Sequence, residues 1–425
     1  MAADVDVQYF SHLNGLVLGN NWGDLIRVLD KALVTGIDFT QITAASIDAQ
    51  GDVHITLFAA HNAMLFQVVE LSGFTPNSLN QKYRIKGLPN TTQLILKPKD
   101  AITGTLISVV GNGKLAPLGY DIIFRDVNDV KRVYRAKNPI AQHPYIRVDE
   151  SLASLDGSSG VYNSTYAKFA MVGLLEHMDH IDDFDNPNVL QLPFDPSNPT
   201  KNWEITGTGA SVVRGWSRWV WARGHHIHNS WADASSITSG NRTFTLVGCS
   251  DAFYLQMPVG INGAYKRVYG AGLYDSAVNS PLIPPWFLLS RLSTSAASVN
   301  YYSSETYGSP FTSTEASARF ITSRLNDVSP LSSHVEAKPV LPNYESGYNG
   351  LYNGGVFAAL QIPFSDSSNV LRGTLKHICY NGKNHGLIDS TQAHLIDSSI
   401  YVQDGLYVGG SGNVGSMVYY LGELE

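Results

Sequence analysis

Residues 214–231 read RGWSRWVWARGHHIHNSW and hold four of the seven tryptophans and three of the thirteen histidines. Imidazoles ligate zinc, and indole rings stack on sugars or bases, so the stretch offers two chemistries. Side chains alternate along an extended strand. Trp219, Trp221, Arg223 and His225 then share one face, and Val220, Ala222, His226 and His228 share the other. His226 and His228 form the pair with ligand spacing for zinc, and a third ligand must come from elsewhere in the chain. Large aromatics on one strand face more often fill the space between two sheets or a subunit contact. The stretch is therefore read mainly as a strand whose tryptophans pack, with the histidines at a turn tip.

Other candidates are weighed in the same way. The segment 176–185 carries Glu176, Asp179, His180, Asp182, Asp183 and Asp185, which could gather a divalent cation. It lacks the glycine turn and closing glutamate of an EF-hand, and a solvated acidic loop is the plainer reading. Arg125, Arg132, Arg135 and Arg147, interleaved with tyrosines, could make a phosphate-binding face. Asp126, Asp149 and Glu150 lie in the same strands, which favours cross-strand salt bridges. GSGNVG at 410–415 matches a dinucleotide fingerprint only in letters, because a long helix and an acidic residue about 20 positions on are required. No GxSxG, HExxH or Walker A sequence occurs. No carboxylate pair of the glycosidase type stands out. No catalytic, cofactor-binding or metal residue is assigned, no cofactor is expected, and the chain is read as a non-enzyme.

The elements that would position such groups are mostly strands. One helix is expected over NWGDLIRVLDKALVTG, where Trp22, Leu25, Ile26, Leu29 and Leu33 form a buried stripe. Asn21 should cap it and Gly36 should end it, with Asp24, Arg27, Asp30 and Lys31 on the polar face. From residue 40 onward period-two patterns take over: Val53, Ile55 and Leu57 alternate with His54 and Thr56, leaving His54 as a solvent-face residue. YAKFAMVGLL is an apolar strand or helix, and LSTSAASVNYYSSETYGSPFTSTEAS reads as a long surface loop. The fold class expected is mainly β with a few helices, as several β-sandwich or barrel-like domains and one N-terminal amphipathic helix. The domains expected are 1–39 (arm and helix), 40–115 (small β), 116–295 (central β) and 296–425 (C-terminal, loop-rich β).

Composition narrows the partners. Only 15% of residues are charged against 44% hydrophobic, too few charges to clothe a free surface, so neighbouring subunits are expected to cover part of it. A net charge of -7 argues against dedicated nucleic-acid binding. No segment approaches 18 uncharged apolar residues, so no membrane span is expected, and the start lacks the pattern of a secretory signal. Cys249 and Cys379, far apart, form no disulfide framework and suit a reducing compartment.

Three blocks carry a family likeness: Ala116-Pro117-Leu118-Gly119-Tyr120, Lys131-Arg132-Val133-Tyr134-Arg135-Ala136 and Tyr145-Ile146-Arg147-Val148-Asp149-Glu150. In this order they resemble the APLGW-like step, KAVYRS strand and LRVDD strand of a family of uncharacterised virion structural proteins of tailed bacteriophages. The helix segment, VELSGF, LNQKYRIKGL, HIDDFDNP, TLVGCSDAFYLQM and VYGAGLYDS follow the family's order over roughly residues 15–290. Tyr120 stands where the family has Trp, Leu273-Tyr274-Asp275 stands where it has a Phe-Gly-Asp-like turn, and the HHIH run lies outside its pattern. The resemblance implies a virion component made in the host bacterial cytoplasm, most naturally of the tail or baseplate. Its partners would be copies of itself and other virion proteins. The alternative is a receptor- or carbohydrate-binding tail component that uses a Trp-lined face.

Overall fold

The computed structural model describes residues 4–104, 106–223, 237–258, 260, 261, 263, 266–278, 283–292, 320–324, 334–340, 359–381, 388–407 and 414–424. Strands dominate them, as the period-two patterns predict, and one short α-helix lies near the N-terminus. The helix Asp24–Leu29 runs directly into a π-helical turn, Asp30–Thr35. Leu25, Ile26, Leu29 and Leu33 are buried, so the expected stripe is real.

Its start differs from expectation. The N-cap is Gly23 at φ 84, with no side-chain cap of its own. Asn21 is not the cap; its backbone N–H donates to the Asp24 carboxylate at 2.9 Å. That carboxylate also accepts from Gly19 at 3.0 Å, so Asp24 is buried and not on a polar face. The N–H groups at the helix start go instead to Glu150, which accepts from Gly23 and, at 3.1 Å, from Ile26. A carboxylate there also suits the positive end of the helix. Gly36 closes the helix at φ 72, where a Cβ would sit 2.1 Å from the Leu115 carbonyl oxygen; only glycine fits.

Three large antiparallel sheets follow. The first runs in the order Ile37–Asp38, Asn112–Leu115, Val68–Ser72, Lys82–Asn90, Gln93–Pro98, Val53–Leu57, Ile42–Ile47. Val53, Ile55 and Leu57 point inward, and His54 points out to Asp48 at 2.9 Å. The middle sheet runs Arg291–Leu292, Ser217–Ala222, Lys168–Leu175, Tyr145–Asp149, Lys131–Ala136, Tyr120–Arg125, with Gln191–Leu192 also paired to Lys168–Leu175. The segment left open as strand or helix thus forms the strand Lys168–Leu175, every residue of which is buried.

The large sheet has thirteen strands among the described residues. It starts at Gln8–Ser11, Thr245–Gly248, Ala252–Pro258, Lys266–Leu273 and Trp286–Leu289. It continues through Phe320–Thr322, Val335–Pro339, Leu360–Asp366, Leu371–Tyr380, Val414–Glu423, Ser399–Tyr407 and Gln392–Ile396. Asp275–Ser276 pairs with Leu371–Tyr380 off this path.

One apolar core joins the helix to all three sheets through Leu29, Ile55, Trp219, Trp221, Phe253 and Trp286. A second lies on the far face of the large sheet, around Tyr254, Phe287 and Tyr419, and a third covers the outer face of the middle sheet around Phe169, Met171 and Val220. Burying alternate faces on different cores makes whole strands read as apolar runs. Charged groups inside are matched. Lys266 and Asp404, neither exposed, meet at 2.6 Å. Buried Arg84 donates to the carbonyls of Asp4, Val7, Phe66 and Leu421, tying the chain's first residues to the first sheet and the last strand.

Candidate functional site

The strand Ser217–Ala222 is buried at every residue. Trp219 donates its indole N–H to the Leu289 carbonyl at 3.0 Å and meets Phe253 edge-on at 5.8 Å. Trp221 meets Trp22 edge-on, also at 5.8 Å. Both rings face the shared core while Val220 faces the outer one. No sugar can stack on rings closed on all sides, so the expected Trp-lined face is not a binding surface; the reason is that this strand is central, covered on both faces. His225, His226, His228 and Trp231 lie outside the described residues.

The acidic segment is used internally. Asp182 accepts from Lys131 and from Arg147, each at 2.7 Å. Arg147 also meets Asp149 at 2.9 Å and lies over Trp203 at 4.3 Å. Asp183 accepts the Asp179 N–H at 2.7 Å. No group of three or more His, Cys, Asp or Glu side chains among the described residues is placed to hold a metal. Of the neighbouring arginines, Arg125, Arg132 and Arg147 are paired with carboxylates, from helix and turn more than across the sheet, while Arg135 donates to the His143 carbonyl and the Tyr145 hydroxyl. Arg132 meets Asp30 at 3.2 Å and also Asp129. Glu150 lines a groove of about 640 Å³ beside Trp22, Val127 and Leu155. Burial raises its carboxyl pKa to about 7 against the pull of the Gly23 and Ile26 N–H groups.

A different cluster emerges where the three sheets meet, in a cleft of about 670 Å³ lined by Lys82, Lys137, Cys249, Asp251, Lys376 and His377. Cys249 and Asp251 sit in the turn of the hairpin Thr245–Gly248/Ala252–Pro258. Lys376 and His377 come from Leu371–Tyr380, which departs there from its register. Gln361 pairs with Cys379 and Pro363 with Thr374, so residues 375–378 stand opposite Ile362 alone. Such bulges re-aim side chains. His377 adopts φ +60, a left-handed conformation uncommon outside glycine, which turns its ring toward the hairpin. The result is a Cys249 Sγ to His377 Nε2 contact of 3.4 Å.

The groups around this contact are ordered by charge. Asp251 accepts from His143 Nε2 at 2.9 Å and from Lys376 Nζ at 2.6 Å, and these partners hold its carboxyl well below the usual carboxylate range. The Ile140 N–H donates to His143 Nδ1 at 2.9 Å, which leaves the His143 proton on Nε2, facing Asp251. The Asp251 bond and charge raise the Lys376 pKa although burial opposes them. Burial pushes the Cys249 thiol up, while the backbone N–H groups of Asp251 and Ala252 favour its thiolate. Burial, then the Lys376 charge, lower the His377 pKa. At neutral pH the contact therefore joins a thiol to a neutral imidazole.

A thiol beside a proton acceptor is the arrangement of nucleophilic catalysis, held here by a turn and a bulge on a rigid sheet. Sequence reading passed over it because Cys249 and His377 are 128 residues apart and neither lies in a motif. The hairpin turn Gly-Cys-Ser-Asp was the single local signal.

No protein-family model matches the chain, and no curated protein matches it. Among solved structures it is similar, at 9% identity and a TM-score of 0.14, to one titled phage phi92 endosialidase. The match covers 92% of this chain and 51% of that one, so the chain spans about half its length. A likeness at this level carries no argument about fold or function.

Proposed function

We propose that the protein is a structural component of a tailed-phage virion, in the tail or baseplate, that acts by assembling with copies of itself and with other virion proteins. The observation that carries this reading is how its family-like blocks lie in the fold. Lys131–Ala136 and Tyr145–Asp149 are whole neighbouring strands, and the Ala116–Tyr120 step leads into the third strand of the same meander. TLVGCSDAFYLQM is one complete hairpin. The resemblance thus spans framework elements, which suits a shared architecture better than a shared active site.

The surface supports assembly as well. Val127 is 100% exposed and Leu155 69%, and both flank the groove of about 640 Å³. Apolar side chains grouped on one groove gain by being covered, at roughly 25 cal/mol per Å². The protein is placed in the virion after synthesis in the host cytoplasm. Sedimentation over a range of concentrations is expected to show self-association, and mass spectrometry of purified particles to find the chain. A protein that stays monomeric at high concentration and is absent from particles sinks the reading.

A further inference from the structure

We propose that Cys249 is a nucleophilic thiol with His377 as its base, and that the cleft of about 670 Å³ accepts an activated acyl group, an ester or thioester, for transfer to it. Three independent observations meet at this point. The sulfur and Nε2 lie 3.4 Å apart, within the range in which a thiol donates to an imidazole. The imidazole is brought there by a register departure and a left-handed backbone, a local cost that only the surrounding sheet sustains. The pair lines a cleft roomy enough for a small acyl donor, and Cys249 is only partly buried.

The step balances without an added reagent. As the Cys249 sulfur attacks the carbonyl carbon, its proton passes to His377 Nε2 and the S–C bond forms. When the C–O or C–S bond to the leaving group breaks, that group leaves with the electron pair and takes the proton from His377. The product is an S-acyl cysteine and a free alcohol or thiol. The resting pair is neutral, so the base acts during the attack and no thiolate need stand ready. The N–H groups of Asp251 and Ala252 oppose the burial that keeps the sulfur protonated. Lys376, tied to Asp251, keeps its charge beside His377 and favours the neutral base. Cys379 is the internal control: it is 8% exposed, and burial pushes its thiol up to about 11.

The test uses the full chain with p-nitrophenyl acetate as acyl donor. One equivalent of nitrophenolate per chain is expected in a burst, with the acetyl group found by peptide mass spectrometry on Cys249. Cys379→Ser should keep the burst and Cys249→Ser should lose it. His377→Asn is the informative variant, because asparagine tolerates the left-handed backbone while removing the base; its burst should slow about 100-fold. The pH profile separates a base from a merely structural residue. With histidine present, the rate should level off already below the ordinary imidazole value of 6.5. In His377→Asn it should climb about tenfold per pH unit toward the thiol pKa, which lies above 9.0. No burst in the natural chain, acetyl on Cys379, or equal rates and profiles with and without His377 would each overturn the assignment.

Discussion

The strands Ser217–Ala222 and Leu371–Tyr380 lie in different sheets and use their side chains in opposite ways. The first pairs in register with Lys168–Leu175 from Arg218 to Val220, carries one extra residue at Trp221, and still buries every side chain. The second breaks register in its middle and leaves Lys376 and His377 half-buried in a cleft. The tryptophan strand is conspicuous in sequence and holds the fold together. The bulged strand, RGTLKHICY over 372–380, is unremarked in sequence and presents reactive groups. Residue types that could do chemistry do so only where the backbone stops packing them.

That contrast can be broken by substitution. Trp219→Ala removes a side chain with no exposure and its bond to the Leu289 carbonyl, and should cost about 4 kcal/mol in denaturant unfolding. A loss under about 1 kcal/mol would mean that the strand is not the packed element described. Trp219→Phe keeps most of the apolar volume and should lose about half as much.

A second prediction concerns the buried helix cap. Glu150 has its carboxyl raised from 4.5 to about 7, so between these pH values the folded chain binds more protons than the unfolded one. Stability must then fall as pH rises from about 4.5 to about 7, by on the order of 3 kcal/mol if this group dominates. Thermal unfolding at pH 5 and pH 8 should show this slope in the natural protein. In Glu150→Gln the slope should flatten, and an amide facing the helix N–H groups should also lower stability at pH 5. An unchanged slope would mean that Glu150 stays ionised throughout.

Much of the framework was legible. Apolar spacing marks the helix stripe through Leu25, Ile26, Leu29 and Leu33, and alternation marks Val53–Leu57, because local burial imposes those periods on the sequence. The ends of the helix were only half legible. Gly36 announces its own left-handed turn, but the N-terminal partner is Glu150, 127 residues away from Gly23. Pairing of Gln8–Ser11 with Thr245–Gly248 is equally remote and leaves no local trace. The reactive contact was hidden for the same reason. Nothing near His377 in sequence foretells that its strand will slip register, because the slip is decided by the partner strands at Gln361–Pro363 and Asp275–Ser276.

The smallest expected effect sharpens the contrast furthest. At φ +60 a histidine pays a conformational cost that glycine does not, about 1 kcal/mol for an L-residue in that region. His377→Gly relieves this cost but loses the ring's packing and its contact with the Cys249 sulfur. The two terms oppose, so unfolding free energy should change by less than about 1 kcal/mol, while acyl transfer to Cys249 at neutral pH should slow about 100-fold, as in His377→Asn. No substitution of Trp219 should show that combination. If His377→Gly destabilises as much as Trp219→Ala, the bulge is a packing element like the tryptophan strand, and the division of labour between the two strands fails.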